Sequence, residues 1–277
     1  MIICISCSGI HRQLGTHISR VRSTTLDAWD RESQRLLLAT GNAVAKTVYE
    51  AQMTETQTHL GPESTQEERL SWIKRKYIEK EFLSVLERPD GVTLEKMLPI
   101  AILEGDIVAT LDLIARGVNI NWKNSDNLDL AALHLAVTEG QTTICDLLLQ
   151  NGAQPDLADG SGWTPLHHSA YLDKVNCVIL LIRRGAKLSL LDNQAKTPLQ
   201  VAVANERAHC VTLLRLAEHA ESQSGNPLED EHFAIALREF SAEVEEMLAP
   251  KSNDAKGLWT GDSDSEEEAP TDASKQE

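Results

Sequence analysis

Apolar residues recur along most of this chain at helical spacing, and the first few positions are the exception. Met1-Ile2-Ile3-Cys4-Ile5 is a continuous apolar run, so residues 1–7 are expected to form a short buried strand. Residues 8–20 can start a helix capped by Ser8, with Leu14 and Ile18 four apart on one face. Over residues 31–52, Leu37, Gly41, Val44 and Val48 share a face and predict one helix. A glycine inside it costs about 1 kcal/mol against alanine, which points to close packing there. Residues 53–62 are polar and end in Gly61-Pro62, a loop. Ser64-Thr65-Gln66-Glu67 reads as a capping box heading a long helix to about Leu86. Its stripes are Leu70, Ile73, Tyr77 and Ile78, Phe82, Leu86. Glu87-Arg88-Pro89-Asp90-Gly91 breaks that helix, and residues 87–93 are the expected linker.

Beyond the linker the pattern repeats. Leu133-His134, Leu166-His167 and Leu199-Gln200 recur every 33 residues, each before an apolar helix. Trp163-Thr164-Pro165-Leu166-His167 and Lys196-Thr197-Pro198-Leu199-Gln200 are near copies, and Gly117, Gly152 and Gly185 end successive units. Period and T-P-L-H signature resemble ankyrin repeats. The resemblance implies about four units over residues 94–220, stacked because each helix pair buries only one face by itself. The first unit reads Met97-Leu98-Pro99-Ile100-Ala101 in place of the signature, the second has Ala131-Ala132 for Thr-Pro, and Thr212–Ala217 is the expected cap. Cys145, Cys177 and Cys210 fall at similar phases and read as small buried hydrophobes. His134 and His167 read as hydrogen-bonding residues of the turn. Trp122 and Trp163 lie near the repeat tips and are either partner anchors or packing against neighbouring tips. Ser224–Pro227 is a break, and residues 229–249 can hold an amphipathic helix with Phe233, Leu237 and Phe240 on one face. Past Pro250 the chain is polar and acidic with a lone Trp259, and disorder is expected there.

Composition sharpens this into a mainly α fold. Of 277 residues, 42% are apolar but only 4% aromatic, which suits closely stacked helical repeats. A net charge of −16 disfavours nucleic acid as a general partner. The charge is uneven: residues 221–277 hold 4 Lys/Arg against 16 Asp/Glu, whereas residues 1–26 hold Arg12, Arg20 and Arg22 and no acid. The N-terminal stretch is therefore suited to an anionic ligand. Five scattered cysteines argue against a secreted disulfide framework. No apolar run approaches the ~20 residues of a membrane span, and the first residues lack the cationic lead of a signal peptide. A cytoplasmic protein is the expectation.

The densest stretch is Cys4 to Trp29, where a C-x-x-C turn (Cys4, Cys7) precedes Arg12, Arg20 and Arg22. Two thiols at that spacing read as half a zinc knuckle, as a redox pair, or as inert core thiols; a closed zinc site needs four ligands. An exposed arginine near a helix is ordinarily a solvated charge. The whole string C-x-x-C-S-G-x-H-R-x-L-G-x-H-x-S-x-V-R-S-x-x-L-D-x-W, however, closely resembles the Arf GTPase-activating (ArfGAP) zinc-finger domain. Gly41–Ala51 and Trp72–Phe82 resemble it as well, so the likeness covers roughly residues 1–86. It implies that Arg12 is an arginine finger for an Arf-family GTPase bound to GTP. It also implies that Cys4 and Cys7 are two of four zinc ligands, and that Arg20 and Arg22 contact the GTPase or support the fold.

The family places another C-x-x-C upstream, and here the chain opens at Met1. The order ArfGAP-like domain, linker, ankyrin repeats resembles the C-terminal portion of the ACAP (centaurin-beta) type, whose upstream BAR and PH domains act at endosomal and plasma membranes. The expected fold is thus an ArfGAP domain lacking its first C-x-x-C, packed against or followed by an ankyrin solenoid, with a disordered acidic tail. The expected function is GTPase activation by an arginine supplied in trans, with an unidentified protein bound by the repeats. A catalytically silent ankyrin scaffold is the competing reading. Ser263 and Ser265 each have a glutamate three residues on (Glu266, Glu268) and are candidate acidophilic phosphorylation sites, against a plain solubilising tail.

Overall fold

The computed structural model describes residues 2–16, 18–54, 60–61, 63–86, 92–231, 233–238 and 240. The described residues form a helical molecule without strands; one isolated bridge, between Asn124 and Leu130, is the only β pairing among them.

The strand expected over residues 1–7 is instead the start of α1 (Ile5–Gln13). The apolar run has no strand beside it to satisfy its backbone, and Ile5, the residue meant for burial, is 89% exposed. The helix cap is correspondingly Cys4, not Ser8. Ile2 is tied down separately: its N–H donates to Asn42 Oδ1 at 2.6 Å and its carbonyl accepts from Asn42 Nδ2 at 2.9 Å. The single helix expected over 31–52 is two, α2 (Arg31–Ala39) and α3 (Asn42–Tyr49), broken at Thr40-Gly41. Thr40 Oγ1 donates back to Leu36 O at 2.7 Å, and Gly41 becomes the cap of α3. The two helices then pack on different helices of the repeat region that follows.

The capping box sits one residue later than expected. Thr65 N–H donates to Glu68 Oε2 (2.8 Å) and Glu68 N–H to Thr65 Oγ1 (3.2 Å), starting α4 (Gln66–Tyr77). Ser64 caps nothing; its Oγ accepts from Gly61 N–H at 3.0 Å. The helix stops at Tyr77 instead of Leu86, because Lys80 takes a left-handed turn (φ +57°). That turn folds Phe82 back, fully buried, onto Trp72 with ring centroids 5.2 Å apart. Of the linker expected over residues 87–93, residues 87–91 lie outside the described residues, and Thr93 is the cap of the next helix.

Four helix pairs follow: α5 (Leu94–Leu103) with α6 (Ile107–Ala115), α7 (Ala132–Thr138) with α8 (Thr142–Gln150), α9 (Pro165–Tyr171) with α10 (Val175–Arg183), and α11 (Pro198–Ala204) with α12 (Ala208–Ser224). One continuous core runs through all of them, from Leu98 to Leu237. Cys145, Cys177 and Cys210 are buried in it as small hydrophobes. Past α12, Gly225 closes the helix in the left-handed region (φ +76°), and Phe233 and Leu237 cover the end of the stack with Phe240 beside them.

The signature histidines explain the regularity. His134 Nδ1 accepts from Ala131 N–H (3.1 Å) and its Nε2 meets Trp163 O (3.2 Å) in the next unit. His167 repeats this with Thr164 N–H (3.2 Å) and Lys196 O (3.1 Å). An accepting Nδ1 leaves Nε2 as the donor, so each neutral ring pins its own turn and the following one. Gln200 keeps only the first half, its Oε1 accepting from Thr197 N–H at 2.9 Å.

The N-terminal helices lie against this stack, α2 on α8 and α3 on α6. The seam is charged. The Arg184 guanidinium reaches Asp146 Oδ1 (2.7 Å), Ser33 Oγ (3.0 Å) and Asp30 Oδ2 (3.2 Å), while Arg183 pairs with Glu32. Arg116 adds hydrogen bonds to Ser84 O and Oγ, both at 2.9 Å.

Candidate functional site

Helix α1 has two faces with different tasks. Ile10, His11 and Leu14 are buried, packing towards Ile73, Leu70 and Tyr77 of α4. The His11 ring lies 5.3 Å from Tyr77, its Nδ1 is 2.9 Å from Ser19 Oγ, and burial lowers its pKa. Arg12, one residue on, therefore points outward from a fixed frame. Its side chain is exposed and makes no hydrogen bond or ion pair with the described residues. It lies in the last turn of α1, where a cation complements the helix dipole.

Gly15 turns the chain back with φ +88°, a region where a side chain would be strained. That reversal brings residues 19–22 alongside α1. Arg20 is exposed. Arg22 lies over the Trp29 ring at 4.5 Å and donates to Ala28 O, while Trp29 Nε1 donates to Ser23 O at 2.8 Å. The loop is further held by Asp27 Oδ2 on Ser23 N–H (2.5 Å) and by Asp30, which caps α2 through Ser33 N–H at 2.7 Å. Burial pulls the Asp30 carboxyl upward, but Ser33 and Arg184 outweigh it and leave it below its usual value.

Arg12, Arg20 and Arg22 thus border one open cavity of about 650 Å³. None of the described residues that line it is a carboxylate; His11 and Ser33 contribute, and Gln150 reaches in from α8 of the repeat stack. Both halves of the chain therefore build this cationic recess. Gln150 also donates to Asp146 Oδ2 of the same helix at 2.9 Å.

The cysteine pair is less complete. Cys4 is exposed and Cys7 half-buried, and Arg69 Nη1 stands 3.8 Å from Cys7 Sγ. Cys7 N–H and thiol bonding lower the Cys4 pKa, whereas burial raises that of Cys7. His17 lies outside the described residues, and among those described no group of three or more His, Cys, Asp or Glu is placed to hold a metal ion. A structural zinc site needs four ligands. These residues supply two and do not fit a closed site.

On the repeats, Trp163 is half-buried, its Nε1 donating to Asp192 Oδ2 (3.0 Å) and its ring 5.3 Å from Tyr171. Packing on the neighbouring tip describes it. Trp122 is half-buried on the preceding tip. Ser263 and Ser265 lie outside the described residues. Sequence reading missed Asp30, Ser33, Asp146 and Arg184. Asp30-x-x-Ser33 carries a readable capping pattern, but nothing in the sequence pairs it with a residue in the third repeat.

Residues 1–86 match the ArfGap family model, described as "Putative GTPase activating protein for Arf". Residues 97–192 and 133–226 match the model of ankyrin repeats in three copies. The chain carries an ArfGAP domain followed by ankyrin repeats. Among curated proteins it is similar to Arf-GAP with coiled-coil, ANK repeat and PH domain-containing protein 2 of Rattus norvegicus, 30% identical over 61% of this chain and 32% of the relative. Protein 3 of that series from Homo sapiens is 40% identical over 35% of this chain and 13% of the relative. Protein csx2 of Schizosaccharomyces pombe is 34% identical over 55% and 16%. The chain spans about a third of the length of the first of these relatives. ArfGAP domains as a class bind zinc.

Proposed function

We propose that this chain activates GTP hydrolysis by an Arf-family GTPase, with Arg12 as an arginine finger supplied in trans. The carrying observation is Arg12 itself: exposed and unengaged, on a helix whose other face is buried, at the rim of a cationic recess without lining carboxylates. In phosphoryl transfer the protein's task is to position groups and neutralise charge spreading over the γ-phosphoryl oxygens. Arg12 has the freedom to enter a partner's nucleotide site. Arg20 and Arg22 are placed to meet an acidic surface beside it, and Arg22 is held in position by Trp29. The repeats hold a protein partner, and Trp122 and Trp163, both half-buried at the repeat tips, are the aromatic residues offered to it. The names of two of the three relatives speak of PH domains, and endosomal or plasma-membrane association belongs to this reading.

The test is single-turnover hydrolysis on a GTP-loaded Arf-family GTPase. The intact chain should accelerate it, and Arg12→Ala should remove about 10³-fold or more of that acceleration, the scale of an arginine finger. A chain extended upstream through a further C-x-x-C, assayed for zinc, belongs beside it. Acceleration by neither, on any Arf tried, sinks the proposal. That no metal-holding group is placed among the described residues favours one second reading, a silent ankyrin scaffold, which predicts that last result.

A further inference from the structure

The recess around Arg12 poses a local problem of charge. In a chain of net charge −16 it gathers three arginines with no lining carboxylate among the described residues. It is also apolar at its edge: Leu26 is 88% exposed and Ile5 89%, and both border it. An occupant that satisfies both features carries an acid run and an apolar anchor close together. One stretch of this sequence does so. Trp259 is followed by Asp262, Asp264, Glu266, Glu267 and Glu268 with no basic residue between.

We infer that the segment around residues 259–268 docks in cis on this recess, Trp259 against the Leu26 and Ile5 rim and the carboxylates facing Arg12, Arg20 and Arg22. Reach permits it. From Phe240, the last described residue, the chain to Trp259 spans up to about 60 Å when extended. A folded chain of this size has a radius of gyration of about 19 Å, hence a diameter of about 50 Å. Charge favours it locally, because opposite charges in a shared concave site attract over the Debye length of about 10 Å at 0.1 M salt. Phosphate on Ser263 or Ser265 would add about −1.5 to −2 charges each and tighten the docking.

The test leaves GTPase activity aside. The full chain is treated with phenylglyoxal, which modifies accessible arginines, and the rates at Arg12, Arg20 and Arg22 are read by peptide mass. A full-chain variant with Asp262→Asn, Asp264→Asn, Glu266→Gln, Glu267→Gln and Glu268→Gln is compared with the unaltered chain, as is Trp259→Ala. Docking predicts several-fold faster modification of Arg12 and Arg20 in the first variant. In the unaltered chain it predicts the same acceleration at 0.5 M salt, where the Debye length falls to about 4 Å. Arg238 in the same digests reports reagent reactivity and should not change. Equal rates at Arg12 and Arg20 in all chains overturn the inference. Protection that disappears on dilution, with dimers in sedimentation, also overturns it in favour of a second copy as occupant. So does protection that appears only with anionic phospholipid vesicles. If the arginines are protected but no Arf responds, the docking stands and the activator reading falls.

Discussion

His134 shows how one side chain serves two repeats. Burial, then the neighbouring His168, lowers its pKa to about 4, and the facing Asp159 offsets this only in part. The ring is held neutral because Nδ1 must accept from Ala131 N–H. Protonation would replace that acceptor with a donor. The unfolded chain titrates near 6.5, so between about pH 6.5 and 4 the unfolded state binds more protons than the folded one. Stability is therefore full above that window and falls as pH drops through it. From pH 7 to 5 the loss from His134 alone should be about 2 kcal/mol. His167 and His168, lowered chiefly by burial as well, act in the same direction. Gln200 supplies the same acceptor without titrating, so His134→Gln should flatten the pH slope even if it costs about 1 kcal/mol at pH 7 through the lost bond to Trp163. Urea unfolding of both proteins at pH 7 and 5 decides this; identical slopes would refute it.

At the scale of elements, the repeats were legible and the N-terminal helices only in part. A signature recurring every 33 residues fixes turn, helix and packing together, because each unit presents the same face to the next. The N-terminal helices have no such redundancy. The break at Thr40-Gly41 keeps the apolar stripe in phase, so periodicity could not show it, and the turn at Lys80 has no glycine to announce it. Arg12 stood out by its motif, whereas the recess around it was not legible, since it depends on Gly15 reversing the chain and on Gln150 from a distant helix. Glycine also separates local strain from contact in the repeats. Gly162 (φ +79°) would place a Cβ 2.8 Å from Asn193 N, the backbone of the next tip, whereas Gly152 (φ +98°) opens onto free space. Gly152→Ala should cost about 1–2 kcal/mol, the left-handed penalty alone. Gly162→Ala should cost visibly more, because the next tip must move. Equal costs by thermal or urea unfolding would mean that the tips do not bear on one another.

The whole molecule depends on its seam. The ArfGAP domain has a small core of its own, centred on Ile10, Leu14 and Ile73, whereas the stack has one continuous core. A small domain with little buried apolar surface is marginal by itself, so the contact of α2 with α8 and of α3 with α6 carries part of its stability. Arg184 is the centre of that contact. It is the cation bonded to Asp146, whose side chain is fully buried, and it also reaches Asp30 and Ser33 across the seam. Removing it leaves Asp146 buried with Gln150 as its remaining hydrogen-bond partner among the described residues. Breaking a buried pair from one side typically costs about 3–5 kcal/mol, more than the pair contributes, because an uncompensated charge stays behind. Arg184→Ala should fall in that range. Adding Asp146→Asn removes the stranded charge and should recover part of the loss, although the bonds to Asp30 and Ser33 stay broken. That order, with the double variant more stable than Arg184→Ala alone, is what a seam of buried ionic groups requires. If Arg184→Ala stays within about 1 kcal/mol of the parent in urea unfolding, the pair behaves as an exposed one. The repeats would then not brace the recess that holds Arg12.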